Sequence, residues 1–171
     1  MKVLVTAASR YGSTRAIADA IGEVLGSHGF EVTVAPPEEV GETAGFDAVV
    51  LGSAVYTGHW LPPAIDLAER IGSELPGRPV WLFSSGPVGD PSRKLVRQMG
   101  ADPVDLPRVR QATRAREHKV FAGKLDRSNL RGIQKIALSL FRSLEGDFRD
   151  WDAIRGWAEA VAGQLSASTA A

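Results

Sequence analysis

Short, unbroken apolar runs separated by amphipathic helical stretches constrain this chain more than any other feature. Val3-Leu4-Val5, Ala48-Val49-Val50-Leu51 and Val80-Trp81-Leu82-Phe83, the last led by Pro79, offer no polar face to water. Strands built from such runs need cover on both sides. Phe30 to Val34 alternates as a second strand, and Lys119 to Gly123 reads as a shorter fifth. Between the strands, Thr14 to Leu25 sets Ile17, Ala18, Ile21, Val24 and Leu25 on one helical face, with Gly26 and Gly29 closing it. Leu61 to Leu75 opens with Pro62 and Pro63, which suit a first helical turn. Pro91 to Met99 reads as a further helix, followed by a polar stretch. Trp151 to Leu165 carries Ile154, Trp157, Ala158, Val161 and Leu165 at helical spacing, and the SASTAA tail reads as frayed. Residues 36 to 44 have room for a helical turn or two.

Strands alternating with helices predict a parallel sheet covered on both faces. With no repeat and no linker, residues 1–171 are expected to form a single domain. In such a sheet the ligand crevice lies beyond the carboxyl ends of the strands. The informative residues are therefore those that follow strands one, three and four.

After strand one, Ser9, Arg10, Tyr11, Gly12, Ser13 and Thr14 crowd hydroxyls onto the start of a helix. The first N–H groups of a helix lack backbone partners and the helix dipole favours an anion there, so a terminal phosphate fits. The loop has neither GxxxxGK[ST] nor GxGxxG, which excludes the commoner nucleotide turns. It holds no lysine, so charge neutralisation would rest on the dipole and on Arg10 or Arg15. A plain Ser/Thr helix cap supplied by Ser13-Thr14 is the competing reading.

After strand three, Ser53, Ala54, Val55, Tyr56, Thr57, Gly58, His59 and Trp60 place large aromatics beside glycine. That suits a flat aromatic ligand, or else a hydrophobic anchor that packs the loop down. After strand four, Ser84, Ser85, Gly86, Pro87, Val88, Gly89 and Asp90 would offer backbone groups to the polar edge of a heterocycle. A phosphate at one end and a planar ring at the other describe flavin mononucleotide (FMN).

Composition narrows the chemistry. Twenty basic and twenty acidic residues cancel, so no overall field steers the chain to nucleic acid. No cysteine is present, which excludes disulfides and thiolate chemistry, and His28, His59 and His118 show no ligand spacing. No metal is therefore expected. No apolar window reaches spanning length and no leader peptide is recognisable, so the expected location is cytoplasmic.

At this point the sequence resembles the flavodoxin-like superfamily. Ser9 to Thr14 looks like that family's phosphate loop, [ST]-x-[ST]-G-x-T, with Tyr11 where a small hydroxyl residue is usual. SRYGSTRAIA, GSAVYTGHW and FAGKL, the last with a long insert before EGDFRDWDAI, are similar to the menaquinone-dependent protoporphyrinogen IX dehydrogenase group. The resemblance implies an α/β three-layer sandwich with a five-stranded parallel sheet in the order 2-1-3-4-5. It also implies FMN as cofactor, held by the three loops above, and electron transfer from a small-molecule redox substrate, protoporphyrinogen IX, to a quinone. No residue reads as a general base, and the catalytic residues are unassigned; His59 is the one titratable candidate beside the ring. Two other readings stand beside this enzyme: an electron shuttle between proteins, and a flavin-free binding module.

The insert, at about residues 124–150, sets Leu130, Ile133, Ala137, Leu140, Phe141 and Leu144 on one stripe. Lys124, Arg127, Arg131, Lys135 and Arg142 against Asp126 give 5 − 1 = +4 over residues 124–142. Peripheral contact with the inner face of the plasma membrane, a wall for an apolar substrate, and packing on the sheet edge or a second protomer are all open readings.

Overall fold

The computed structural model describes residues 1–86, 102–125 and 146–169. Five parallel strands form its sheet: β1 (Lys2–Ala8), β2 (Glu31–Ala35), β3 (Ala48–Tyr56), β5 (Val80–Ser85) and β6 (Glu117–Phe121). Their order is β2-β1-β3-β5-β6, which is the expected 2-1-3-4-5. A two-residue strand, β4 (His59–Trp60), folds back antiparallel on Val55 and Tyr56.

Two cores explain why the strand runs are apolar throughout. Val3, Val5, Ala7, Val50 and Phe83 face one side, where helices α1 (Ser13–Ser27) and α4 (Trp151–Thr169) cover them. Leu4, Ala8, Val49, Leu51 and Leu82 face the other, under α2 (Pro62–Glu74) and α3 (Leu106–Thr113). Alternate residues thus feed opposite layers, as the strand pleat requires. Phe83, Phe121 and Trp157 form an aromatic cluster on the α4 side, with centroids 5.7 to 6.3 Å apart. At Gly52 a Cβ would sit 2.2 Å from the Phe83 ring, so the glycine makes room for that cluster.

Several boundaries differ from expectation. β1 continues through Thr6 to Ala8, and β3 runs past Gly52 to Tyr56, because Gly52, Ser53 and Ala54 pair with Phe83, Ser84 and Ser85. Ser53 to Tyr56 are therefore strand rather than loop. The fifth parallel strand starts at Glu117 and ends at Phe121, two residues earlier than the apolar run suggested. The tail read as frayed is helical through Thr169, with Ser166 and Ser168 bonded back to the carbonyls of Ala162 and Gln164. Residues 36 to 44 hold one short 3-10 turn, Pro37–Glu39. Helix α3 occupies part of what read as a polar stretch. The helix expected at Pro91 to Met99, and most of the insert, lie outside the described residues.

Asp150 starts α4 by accepting from the Ala153 amide at 2.9 Å, an N-cap bond. Just before it, β7 (Lys124–Leu125) and β8 (Gly146–Asp147) pair antiparallel, so the two feet of the insert are zipped together. No helix among the described residues is long and apolar enough to cross a membrane.

Candidate functional site

Strand register assembles the site. Ala8 pairs with Ser53, and Ala54 pairs with Ser85. The chain therefore leaves the sheet at Ser9, at the Thr57-Gly58 turn and at Gly86 on one edge, and the three expected loops share that edge. Gly86 lies against Val55, with a Cβ position 3.5 Å from the Val55 Cβ, and its amide donates to the Phe121 carbonyl at 2.9 Å. Pro87, Val88, Gly89 and Asp90 lie outside the described residues.

The first loop is not a simple Ser/Thr cap. The N-cap of α1 is Gly12, at φ +80, and it makes no side-chain cap bond; Ser13 and Thr14 are already inside the helix. Ser9 Oγ reaches forward instead and accepts from the Thr14 amide at 3.3 Å. Thr14 is buried, and the Ser13 Oγ is buried without a partner among the described residues. An orphaned hydroxyl of this kind costs free energy unless something completes it. The first turn of α1 contains no acidic residue, so an anion would meet no repulsion there. The donor set suits a phosphate.

Loops one and two meet at Tyr56. The Arg10 guanidinium lies over the Tyr56 ring, 4.7 Å from its centroid. Burial pushes the half-buried Tyr56 phenol above its ordinary pKa, the nearby Tyr11 adds to the rise, and Arg10 opposes it. Tyr11 itself is 46% exposed, so it stands at the rim rather than filling the crevice. The turn beyond Tyr56 has Thr57 at φ 51 and Gly58 at φ 84, both left-handed, which is the two-residue hairpin geometry that matches strand twist.

Trp60 points the other way. It is 2% exposed, belongs to the α2-side core, and donates its indole N–H to Ser84 Oγ at 2.8 Å. The anchor reading thus describes Trp60, while Tyr56 is the aromatic left at the crevice. Ser53 Oγ is also fully committed, accepting from the Leu61 amide and donating to the Ala54 carbonyl, both at 2.9 Å. His59 is exposed, with Nδ1 3.1 Å from Asp105 Oδ2.

Four participants were missed by sequence reasoning. Asp105 takes the Trp60 amide at 2.9 Å as well as His59, and the Val104 amide donates to the Gly58 carbonyl at 2.9 Å, so residues 104–105 brace the hairpin. Pro107 in the first turn of α3 was the available signal for this helix. His118, nearly buried, faces Ser84 through Nε2 at 2.8 Å and Asp102 through Nδ1 at 3.4 Å. Arg149, beyond the insert, donates to the Ser13 carbonyl at 3.3 Å, and no local pattern marks it. Among the described residues no cluster of His, Asp or Glu could hold a metal.

Solved structures with the same architecture include a flavodoxin from the domain Archaea, at TM-score 0.65 and 16% identity, covering 97% of this chain and 99% of that one. A flavodoxin of Streptococcus pneumoniae TIGR4 matches at TM-score 0.61 and 20% identity, over 96% and 99% of the two chains. Rubredoxin oxygen:oxidoreductase of Desulfovibrio gigas matches at TM-score 0.67 and 16% identity, with 99% of this chain laid on 37% of that one. No curated protein matches the sequence significantly. A flavodoxin-domain family profile matches residues 4–152, and the chain belongs to that family.

Proposed function

We propose that the crevice binds FMN and that the protein is an FMN-dependent oxidoreductase, passing electrons from a reduced organic substrate to a quinone. The observation that carries the reading is Ser13 Oγ, buried and without a partner among the described residues, in a hydroxyl-rich helix start free of acidic residues. Ser9, Ser13, Thr14 and the amides around Gly12 would hold the phosphate. Tyr56 would flank the ring, with the Thr57-Gly58 turn and the Ser85-Gly86 exit along its polar edges. Bound FMN would supply the redox chemistry, and these residues would orient it. Tyr11 and Val104, two of the few exposed large apolar residues among those described, stand beside this crevice and favour an apolar redox substrate. Protoporphyrinogen IX as donor is the finer form of this proposal, and it rests on the motif resemblance.

A second reading is an electron carrier between proteins. It is favoured by end-to-end similarity to flavodoxins, at 99% of their length. The zero net charge counts against it, since a carrier steered to a charged partner gains from an opposite field.

Titration of the purified protein with FMN tests the proposal. Stoichiometric quenching of flavin fluorescence and a yellow protein after desalting are expected; a protein left colourless by excess FMN rejects it. Anaerobic reduction followed by menadione, compared with a ferredoxin-type partner, then separates quinone enzyme from carrier.

A further inference from the structure

The anion-binding turn has no lysine, and the two arginines beside it are occupied. Arg10 lies over Tyr56, and Arg15 pairs with Asp19 at 3.3 Å. Among the described residues, a cation that does reach the turn arrives from 136 residues away. Arg149 donates from Nη1 to the Ser13 carbonyl at 3.3 Å, and its side chain is only 10% exposed. Asp147 grips the guanidinium in a two-point fork, Nε at 2.8 Å and Nη2 at 2.5 Å. The Trp151 ring covers it at 4.5 Å. Those bonds from Arg149 hold the Asp147 carboxyl below its ordinary pKa.

The same residue belongs to the base of the insert. Asp147 pairs with Lys124 across the β7–β8 ladder, and the Phe148 amide donates to the Gly123 carbonyl at 3.2 Å. One guanidinium therefore ties the feet of the insert to the first residue of α1. Arg149 and Asp147 cancel in charge, so what Arg149 contributes to the turn is placement more than net field.

We propose that Arg149 is a positioning residue for the phosphate end of FMN, coupling occupancy of that site to order at the base of the insert. The inference rests on the FMN reading above. Because coupling between two sites is reciprocal, FMN should in turn steady the feet of the insert.

The test compares FMN with riboflavin, which lacks the phosphate, on wild type, Arg149→Lys and Arg149→Gln. Dissociation constants come from flavin fluorescence quenching, and amide hydrogen exchange is followed at residues 123–125 and 146–148. Arg149→Gln should weaken FMN by about 10-fold, because the Ser13 carbonyl loses the guanidinium that holds the turn in place, and leave riboflavin within about 2-fold. Arg149→Lys keeps the charge, loses the fork and should fall between. FMN should slow exchange of the Phe148 amide in wild type and not in Arg149→Gln. Equal weakening of both flavins, or unchanged FMN affinity, overturns the proposal, because a mere structural staple does not sense the phosphate. If Arg149→Gln does not fold, the FMN-to-riboflavin ratio of Arg149→Lys decides by the same criterion. Wild type that binds neither flavin overturns the FMN reading itself.

Discussion

The indole N–H of Trp60 donates to Ser84 Oγ at 2.8 Å, so the strand that folds back on β3 is bolted to the end of β5. The bond ties the residue two after Gly58 to the residue two before Gly86, and so links the chain segments that carry the second and third loops. Trp60→Phe keeps most of the ring volume and loses the donor. It should cost about 1 kcal/mol in urea unfolding. Trp60→Ala should cost about 3–5 kcal/mol, as for other buried aromatics. Equal costs for the two variants would show that the hydrogen bond, and not the packing, holds the hairpin.

Ser13→Ala separates a binding role from a structural one by sign. The Ser13 hydroxyl has no partner among the described residues, so its removal should leave the midpoint of unfolding unchanged or slightly raised. FMN affinity should nevertheless fall by about 10-fold or more, the worth of a hydrogen bond to a charged group. Calorimetry of the apo-protein and flavin titration read the two effects independently. A stability loss with unchanged affinity would place Ser13 in the scaffold alone.

Thr57 sits at φ 51, a left-handed conformation that strains a β-branched residue by about 1–2 kcal/mol. Thr57→Asn, a residue that tolerates this region, should raise stability by about 0.5–1 kcal/mol. A lowered unfolding midpoint would mean that the bond from Thr57 Oγ1 to the Tyr56 carbonyl, at 2.7 Å, outweighs the strain.

Burial pushes the His118 pKa below its ordinary value; Asp102 pulls it up, and Arg110 adds to the fall. The unfolded chain therefore binds the proton more readily than the native one. The resulting stability is complete above about pH 6.5, the unfolded value, and drains away as pH falls through the lower native value. Urea midpoints measured from pH 8 to 5 should decline across that window, and His118→Gln should flatten this part of the decline. An unchanged slope in the variant would assign the acid sensitivity to other groups.

Gly52→Ala brings a methyl group to within 2.2 Å of the Phe83 ring. Overpacking of this kind costs about 1–3 kcal/mol, to be read as a drop in thermal midpoint together with a changed near-ultraviolet signal from the aromatic cluster. A fully wild-type midpoint would show that Phe83 can swing aside.

What the sequence determined on its own was whatever depends on near neighbours. Val3 to Val5 and Ala48 to Leu51 are apolar on both faces, and that alone demands two covering layers and hence the observed sheet. Ile17, Ile21 and Leu25 recur at helical spacing, and the hydroxyls of Ser9, Ser13 and Thr14 stand together in the chain, so the helix and the hydroxyl-rich turn that opens it were legible as well. Tertiary structure alone decided which side chains remain available to a ligand. Ser53 and Trp60 look like site residues in sequence, yet Leu61 and Ser84 occupy their hydrogen-bonding groups. Ser13 looks like a cap, yet its hydroxyl has no partner among the described residues, while Arg149 reaches the same turn from the far end of the chain. The physical reason is range: a residue's periodicity is written into its immediate neighbours, whereas the partner of a buried polar atom is set by strand register and helix docking, which bring together groups remote in sequence.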